Sequence, residues 1–286
     1  MEKAIIFGAG YTGAILYNAI KTQYDIISAI DNDVKKQGKE LAPGVPIAGA
    51  EVLKNAYYDV IIIGTYVGLE EITEQLLNVY GVPEDKIVDQ YVKPTIHAKY
   101  TFLESFAKIV KEKGILGDVC EAGVYRGSFA KEINRHFPDR KLYLFDTFEG
   151  HDERDVEIER MKGFSEVAAG SLSMTSEDVV LAKMPFPKQC VIKKGYFPES
   201  FDLYDNLFCF VNIDFDLYQP IREALRLFYP RLPPGGVILI HDYMWKYVAG
   251  ASSAVDEFSE EFGLGIIPIG DGVSVALVKN NLRGGH

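Results

Sequence analysis

Apolar residues along the chain fall into short unbroken runs, separated by stretches where they recur every three or four positions. The runs are read as strands buried on both faces and the recurrences as amphipathic helices. On that pattern the first third holds strands at 3–7, 25–30, 59–63 and 86–88, with helices over 12–21 and 68–79. The alternation restarts after a seam at 92–94. Strands are predicted at 118–121, 141–145, 191–194, 207–213 and 236–240, and helices over 100–113, 128–137, 219–229 and 249–262. Two last runs, 266–269 and 273–279, flank Gly270-Asp271-Gly272, a hairpin signal. Residues 147–188 hold one short predicted helix, 176–183, in an otherwise irregular stretch. A connection this long inside a compact domain is expected to act as a lid. The fold class is therefore α/β, with two Rossmann-like domains in tandem, 1–93 and 94–286. In the second, a parallel sheet is expected to end in a reversed last strand.

Composition narrows the class. With 48% apolar and 25% charged residues, the chain is an ordinary globular protein rather than a disordered or fibrous one. Its 30 Lys+Arg against 41 Asp+Glu give a net charge of −11, which argues against holding nucleic acid or anionic lipid by bulk charge. Residues 1–93 carry 8 Lys, no Arg and 13 Asp+Glu, so an anion bound there would rest on backbone amides or Lys. Cys120, Cys190 and Cys209 lack CxxC spacing and give neither a disulfide framework nor a zinc site. No apolar run nears the roughly 20 residues of a membrane span, and the first residues lack a signal-peptide stretch. A cytoplasmic location is expected.

Three constellations carry chemistry. The first, Gly8-Ala9-Gly10-Tyr11-Thr12-Gly13, follows a strand and opens a helix, and Asp31 ends the next strand. Gly8, Gly10 and Gly13 would let the helix N-terminus face a phosphate while Asp31 holds ribose hydroxyls. A tight packing turn is the competing reading. The second is Glu121-Ala122-Gly123-Val124-Tyr125-Arg126-Gly127-Ser128, with Asp146 closing the following strand. In S-adenosylmethionine (SAM) enzymes of this topology the turn approaches the methionine end of the cofactor, and the next acid holds the ribose. Gly195-Tyr196-Phe197 ends a further strand, placed either to wall the adenine or to pack. The third pairs Asn212-Ile213-Asp214-Phe215-Asp216 with His241-Asp242-Tyr243 at the ends of two strands, where open α/β sheets bind ligands. Asp214, His241 and Asp242 are candidate ligands of one divalent cation, Mg²⁺ or Mn²⁺. Asp216 is a candidate general base on a substrate hydroxyl. Asn212 is expected in the core, and His97, His136 and His151 are expected to be surface or internally satisfied histidines.

Residues 117–279 resemble the macrocin O-methyltransferase (TylF-type) family of SAM-dependent sugar O-methyltransferases. The likeness runs through EAGVYRGSFA, LFDTFEG, GYFPESF, VNIDFDLYQP and LRLFYPRLPPGGVILIHDY in order. It implies a class I SAM-methyltransferase sheet with SAM held at Glu121, Gly123, Arg126, Gly127, Ser128, Asp146, Thr147 and Phe148. It also implies Mg²⁺ at Asp214, His241 and Asp242, with Asp216 in the place of the base, and a homodimer. His241-Asp242 stands where the family pattern usually carries Asp-Asp. Residues 1–93 resemble the small Rossmann-like domains in front of sugar-modifying enzymes, through IIFGAGYTG, AIDNDVKKQGKELAPGVPI and DVIIIGTY. That likeness implies a nucleotide-sugar or docking role. The expected function is O-methylation of a sugar hydroxyl on a nucleotide sugar, a surface polysaccharide or a glycosylated natural product. Two other readings stay open. One is a nucleotide-sugar oxidoreductase or epimerase run by the N-terminal GxGxxG, for which the first domain is short. The other is a non-catalytic SAM or sugar-binding protein whose acidic cluster is idle.

Overall fold

The computed structural model describes residues 1–65, 68–245 and 249–280. The chain divides into two compact units, Met1–His97 and Ala98–His286. In the first, the strands are β1 (Glu2–Phe7), β2 (Tyr24–Ile30), β3 (Glu40–Ala42), β4 (Val45–Ala48), β5 (Val60–Ile63) and β6 (Ile87–Val88). They lie in the order β3-β4-β2-β1-β5-β6. Among the described residues of this unit, only the β3–β4 pair is antiparallel. Alternate residues of β1 feed opposite cores: Ile5 and Phe7 join Ile61 and Ile63, while Ala4 and Ile6 join Ile62. Burial on both faces is why these strands read as unbroken apolar runs. Helix α1 (Tyr11–Ile20) leaves the glycine turn directly, and α2 (Leu69–Glu74) passes into a π-helical turn at Gln75–Val79.

A long helix, α3 (Lys93–Lys113), leads into the second unit and lies mostly within it. This helix runs through the expected seam, because a proline in the first turn gives up only an N–H that has no intrahelical partner. Leu103, Phe106 and Val110 form its buried stripe. Strands β7 (Asp118–Ala122), β8 (Leu142–Asp146), β9 (Cys190–Lys194), β10 (Phe208–Ile213), β11 (Val237–Ile240), β12 (Ile267–Pro268) and β13 (Val275–Val278) form one sheet. Its order is β12-β13-β11-β10-β7-β8-β9, and β13 runs antiparallel to both its neighbours. The helices are α4 (Ser128–His136), α5 (Glu153–Lys162), α6 (Glu177–Lys183), α7 (Tyr218–Phe228) and α8 (Ala249–Phe262). From β7 the sheet extends one way to β8 and β9 and the other way to β10 and β11. The carboxyl ends of β7 and β10 thus flank a topological switch point, where sheets of this kind bind ligands.

Helix α5 occupies part of the stretch expected to be irregular. Its inward residues are Asp155, Val156 and Glu159, so it lacks the apolar periodicity that announces a helix. Its ends are well specified: Asp152 accepts from the Arg154 N–H at the N-terminus, and Gly163 closes it at φ +69°. Glu159 is fully buried and docks α5 on α7, accepting from the Tyr218 N–H at 2.8 Å and the Ser165 hydroxyl at 2.7 Å. The carboxylate thereby caps the positive end of α7, which has no side-chain cap of its own. Among the described residues no helix is long and apolar enough to cross a membrane.

Candidate functional site

The ends of β7, β8, β9 and β10 open onto one cleft. Its floor is the turn after β7. Gly123 has φ +91°, and a Cβ there would lie 2.0 Å from the Asp214 carbonyl oxygen, so glycine lets the two strand ends close up. Asp146, at the end of β8, fixes the turn. Its Oδ2 accepts from the backbone N–H groups of Val124 and Tyr125, both at 2.8 Å, and its Oδ1 accepts from that of Phe148 at 2.7 Å. A carboxylate accepts about four hydrogen bonds, so one lone pair remains for a ligand.

Charge gathers at the ends of β10 and β11. Asp214 Oδ2 accepts from Lys99 Nζ at 3.0 Å, and Asp214 Oδ1 lies 3.1 Å from His241 Nδ1. The same Nδ1 lies 2.8 Å from Asp242 Oδ1. Burial disfavours the Lys99 ammonium, but Asp214 and then Glu121 outweigh it and keep its pKa above the ordinary value. Burial likewise opposes the Asp214 carboxylate, yet His241 and Lys99 hold it well below the usual range. His241 is pulled down by burial and lifted further by Asp214 and Asp242, to about 10. Asp216 goes the other way. Burial pushes it up to about 7, only partly countered by His151, whose Nε2 lies 2.9 Å from Asp216 Oδ2.

Asp214, His241 and Asp242 are grouped as the ligands of a cation would be. Each offers one ligand atom, and these atoms lie within 4.8 Å of one another. Neighbouring ligands at about 2.1 Å from a six-coordinate ion are about 3 Å apart, close to the 2.8 and 3.1 Å separations from His241 Nδ1. Two carboxylates and an imidazole suit Mn²⁺, Fe²⁺ or Zn²⁺ as well as Mg²⁺. The residues fit a divalent ion.

Of the residues singled out in the sequence, Gly123, Tyr125, Asp146, Thr147, Gly195, Tyr196, Asp214 and Asp216 line the cleft. His241 and Asp242 stand beside it through Asp214. Five expected cofactor residues do not line it. Glu121 is 2% exposed beneath the turn and accepts from Asn212 Nδ2 at 3.0 Å. Gly127 packs under Val180 and Met184, Phe148 is in the core, Ser128 starts α4, and Arg126 is not part of the lining. In the first unit, Asp31 accepts from the N–H of Ala9 and from Lys36 Nζ, and also from the N–H of Asp33, all at 2.9 Å. That ties the acid to the turn of Gly8, Gly10 and Gly13. A Cβ on Gly13 would meet the Gly8 carbonyl oxygen at 1.9 Å, so close packing by itself requires this glycine.

Three residues escaped the sequence reading. Lys99 reaches Asp214 from α3. His151, expected at the surface or internally satisfied, lines the cleft and pairs with Asp216. Asp155 on α5 is 5% exposed, is pushed up to about 6 by burial and accepts from the Tyr196 hydroxyl at 2.9 Å. The DTFEG run just before His151 was the one signal near it. Lys99 and Asp155 had none.

Residues 97–269 match the macrocin-O-methyltransferase (TylF) family, well over half of the chain. The chain belongs to that family. Residues 1–88 match a second family, C2185-like, N-terminal. Similar proteins include the 8-demethyl-8-(2,3-dimethoxy-alpha-L-rhamnosyl)-tetracenomycin-C 4'-O-methyltransferase of Streptomyces olivaceus. It is 25% identical over 177 residues, 57% of this chain and 65% of that one. Mycinamicin III 3''-O-methyltransferase of Micromonospora griseorubida is 26% identical over 165 residues, 53% of this chain and 63% of that one. The chain thus spans less than two thirds of the length of these relatives. Among solved structures, the O-methyltransferase NovP aligns with a TM-score of 0.52 at 22% identity, covering 64% of this chain and 80% of that one. The calicheamicin methyltransferase CalS11 aligns with a TM-score of 0.50 at 16% identity, covering 80% and 88%. These likenesses show the fold, the Rossmann-like sheet of class I SAM methyltransferases with its reversed last strand.

Proposed function

We propose that residues 94–286 form a SAM-dependent O-methyltransferase that acts on a sugar hydroxyl. The observation that carries this reading is the shared cleft. In a TylF-family chain, the turn of Gly123 and Tyr125, with Asp146, Thr147, Gly195 and Tyr196, opens onto the same space as Asp214 and Asp216. By its name the Streptomyces olivaceus relative acts on a rhamnosylated tetracenomycin. That favours a glycosylated natural product as acceptor over a nucleotide sugar or a surface polysaccharide. Residues 1–93 are read as a nucleotide-sugar or docking domain, on the strength of the Gly8–Gly13 turn with Asp31.

When bound, SAM supplies an electrophilic sulfonium methyl, and a divalent cation at Asp214, His241 and Asp242 supplies Lewis acidity to a hydroxyl. The chain's own residues do the rest. Asp146 and the turn it fixes orient the donor, while Gly195 and Tyr196 wall it. Asp216 takes the acceptor's proton as the hydroxyl oxygen bonds to the methyl carbon, and the electron pair of the broken C–S bond stays on sulfur. The segment 147–188 covers the site and excludes water.

Transfer of labelled methyl from SAM to a panel of glycosides tests the reading. Asp216→Asn is expected to keep SAM affinity and lose turnover by about 10²–10⁴-fold. Full activity in that variant contradicts the base assignment. Chelation with EDTA is expected to lower turnover, with recovery on adding Mg²⁺ or Mn²⁺. Turnover indifferent to EDTA would leave the acidic trio without a metal role.

A further inference from the structure

We propose that Leu172 is a specificity-determining residue that packs against an apolar group attached to the acceptor sugar. It thereby selects neutral glycosides with an apolar aglycone over nucleotide sugars and polysaccharides. The inference rests on the reading of the cleft as a sugar O-methyltransferase site.

Leu172 has φ +65°, in the left-handed region that a branched side chain avoids. Among the described residues the other non-glycine residues with positive φ are Tyr125, Phe148, Asp216 and Asp242. Those four all stand in the turns after the strands that build the site, after β7, β8, β10 and β11. Leu172 lies outside these turns, yet it lines the same cleft with 43% of its surface exposed. Burial in a core therefore does not offset the strain, and glycine would suit the backbone better. Strain held at a cleft-facing residue points to a role in binding.

Residues 170–175, Gly-Ser-Leu-Ser-Met-Thr, form an uncharged strap, whereas Asp146, Asp152, Asp155, Asp214 and Asp216 line the cleft. The strap is pinned on both sides of Leu172. On one side the Gly170 N–H donates to the His151 carbonyl at 2.9 Å, and the His151 N–H donates to the Ser171 carbonyl at 3.0 Å. A Cβ on Gly150 would lie 2.2 Å from the Ser171 carbonyl oxygen, so only glycine fits against the strap there. On the other side the Thr175 hydroxyl donates to the Tyr125 carbonyl. Leu172 is thus held between the turn after β7 and His151, whose ring pairs with Asp216.

That place decides what the side chain meets. The ribose acid Asp146 and the wall residue Tyr196 stand at the ends of β8 and β9, away from both anchors of the strap. A sugar whose hydroxyl reaches Asp216 leaves its substituent at the mouth of the cleft, where Leu172 is exposed. Leucine offers that substituent apolar area and dispersion, with no hydrogen bond. A nucleoside diphosphate would bring negative charge to a cleft lined by acids. A polysaccharide would bring hydroxyls that leucine cannot satisfy. An aromatic or aliphatic aglycone meets neither penalty.

Matched methyl and p-nitrophenyl glycosides, over a panel of hexoses and 6-deoxyhexoses, differ only in the group that Leu172 meets. For the sugar methylated, wild type is expected to show a KM about tenfold lower with the p-nitrophenyl glycoside than with the methyl glycoside. The matching nucleoside diphosphate sugar is expected to have the highest KM of the three. In Leu172→Gly the gap between the two glycosides is expected to close to within about twofold, through a rise in the p-nitrophenyl KM at unchanged kcat and SAM affinity. Glycine relieves the left-handed strain, so this variant is expected to melt within about 2 °C of wild type, which separates a lost contact from a lost fold. Leu172→Met, of similar volume, is expected to keep the gap. Absence of the gap in wild type, its survival in Leu172→Gly, or a preference for the nucleoside diphosphate sugar overturns the inference. SAM affinity that falls as far as the KM rises would place Leu172 on the cofactor, and a changed sedimentation coefficient would place it in a subunit contact. Either result overturns the inference too. A wild type that binds SAM but methylates no sugar of the panel contradicts the sugar reading itself, and the inference falls with it.

Discussion

Asp155 shows what burial does to a single residue. Its carboxyl is pushed up to about 6, against about 4 in an unfolded chain. Between those values the folded state keeps a proton that the unfolded state has released, so stability falls as pH rises from about 4 to 6 and stays reduced above. Asp155→Asn keeps an acceptor for the Tyr196 hydroxyl and removes the titration. At pH 7 its melting temperature is expected to exceed that of wild type by about 2–4 °C, and the fall between pH 4 and 6 should flatten. A wild-type slope in the variant would mean that the folded and unfolded carboxyls titrate alike. Lys99 is the opposite case, a buried cation whose removal strands an anion. Lys99→Met leaves Asp214 with His241 alone and is expected to cost about 3 kcal/mol in denaturant unfolding. An unchanged midpoint would show that His241 balances Asp214 unaided. Neither residue was legible in the sequence, because the partner that gives each its meaning is remote: Asp214 lies 115 positions from Lys99, and Tyr196 lies 41 from Asp155. His151, expected at the surface or internally satisfied, pairs with Asp216 65 positions away, and its place in the cleft was hidden for the same reason.

At the scale of elements, close backbone approach decides which positions tolerate change. Gly123→Ala would drive a Cβ into the Asp214 carbonyl, between β7 and β10. It is expected to cost more than about 3 kcal/mol in urea unfolding. Gly163→Ala, also at positive φ but facing open space, is expected to cost only about 1 kcal/mol. Equal costs would show that the β7–β10 approach is not tight. The central strands of both sheets were legible because burial on two faces writes them as unbroken runs, and the ends of β7, β8, β10 and β11 already displayed the acids of the site. Helix α5 was not legible, because its inner face is built from Asp155 and Glu159, and acids break the apolar rhythm. Only its caps, Asp152 and Gly163, marked it. The β3–β4 hairpin was missed because strands of three and four residues are too short to show a period. Pro94 was read as a boundary where it stands in the first turn of α3.

For the whole molecule, each unit has its own cores, and the acids of the second converge where its sheet changes direction. Asp146, Asp152, Asp155, Asp214 and Asp216 all line the cleft, with Lys99 and His241 offsetting part of their charge. Such a surface suits a sulfonium cation and a divalent ion better than an anionic ligand. SAM at 100 times its dissociation constant is expected to stabilise the second unit by about 2.7 kcal/mol. That is visible as a shift in its melting transition, and a SAM-independent transition would be at odds with a cofactor site there. The most direct test is calorimetric titration of SAM into the wild-type chain and Asp146→Ala, with and without Mg²⁺ or Mn²⁺. The account predicts micromolar binding by wild type and its loss in Asp146→Ala, because that carboxylate anchors the turn and is the proposed holder of the ribose. Absence of SAM binding by wild type under every metal condition would contradict the methyltransferase reading.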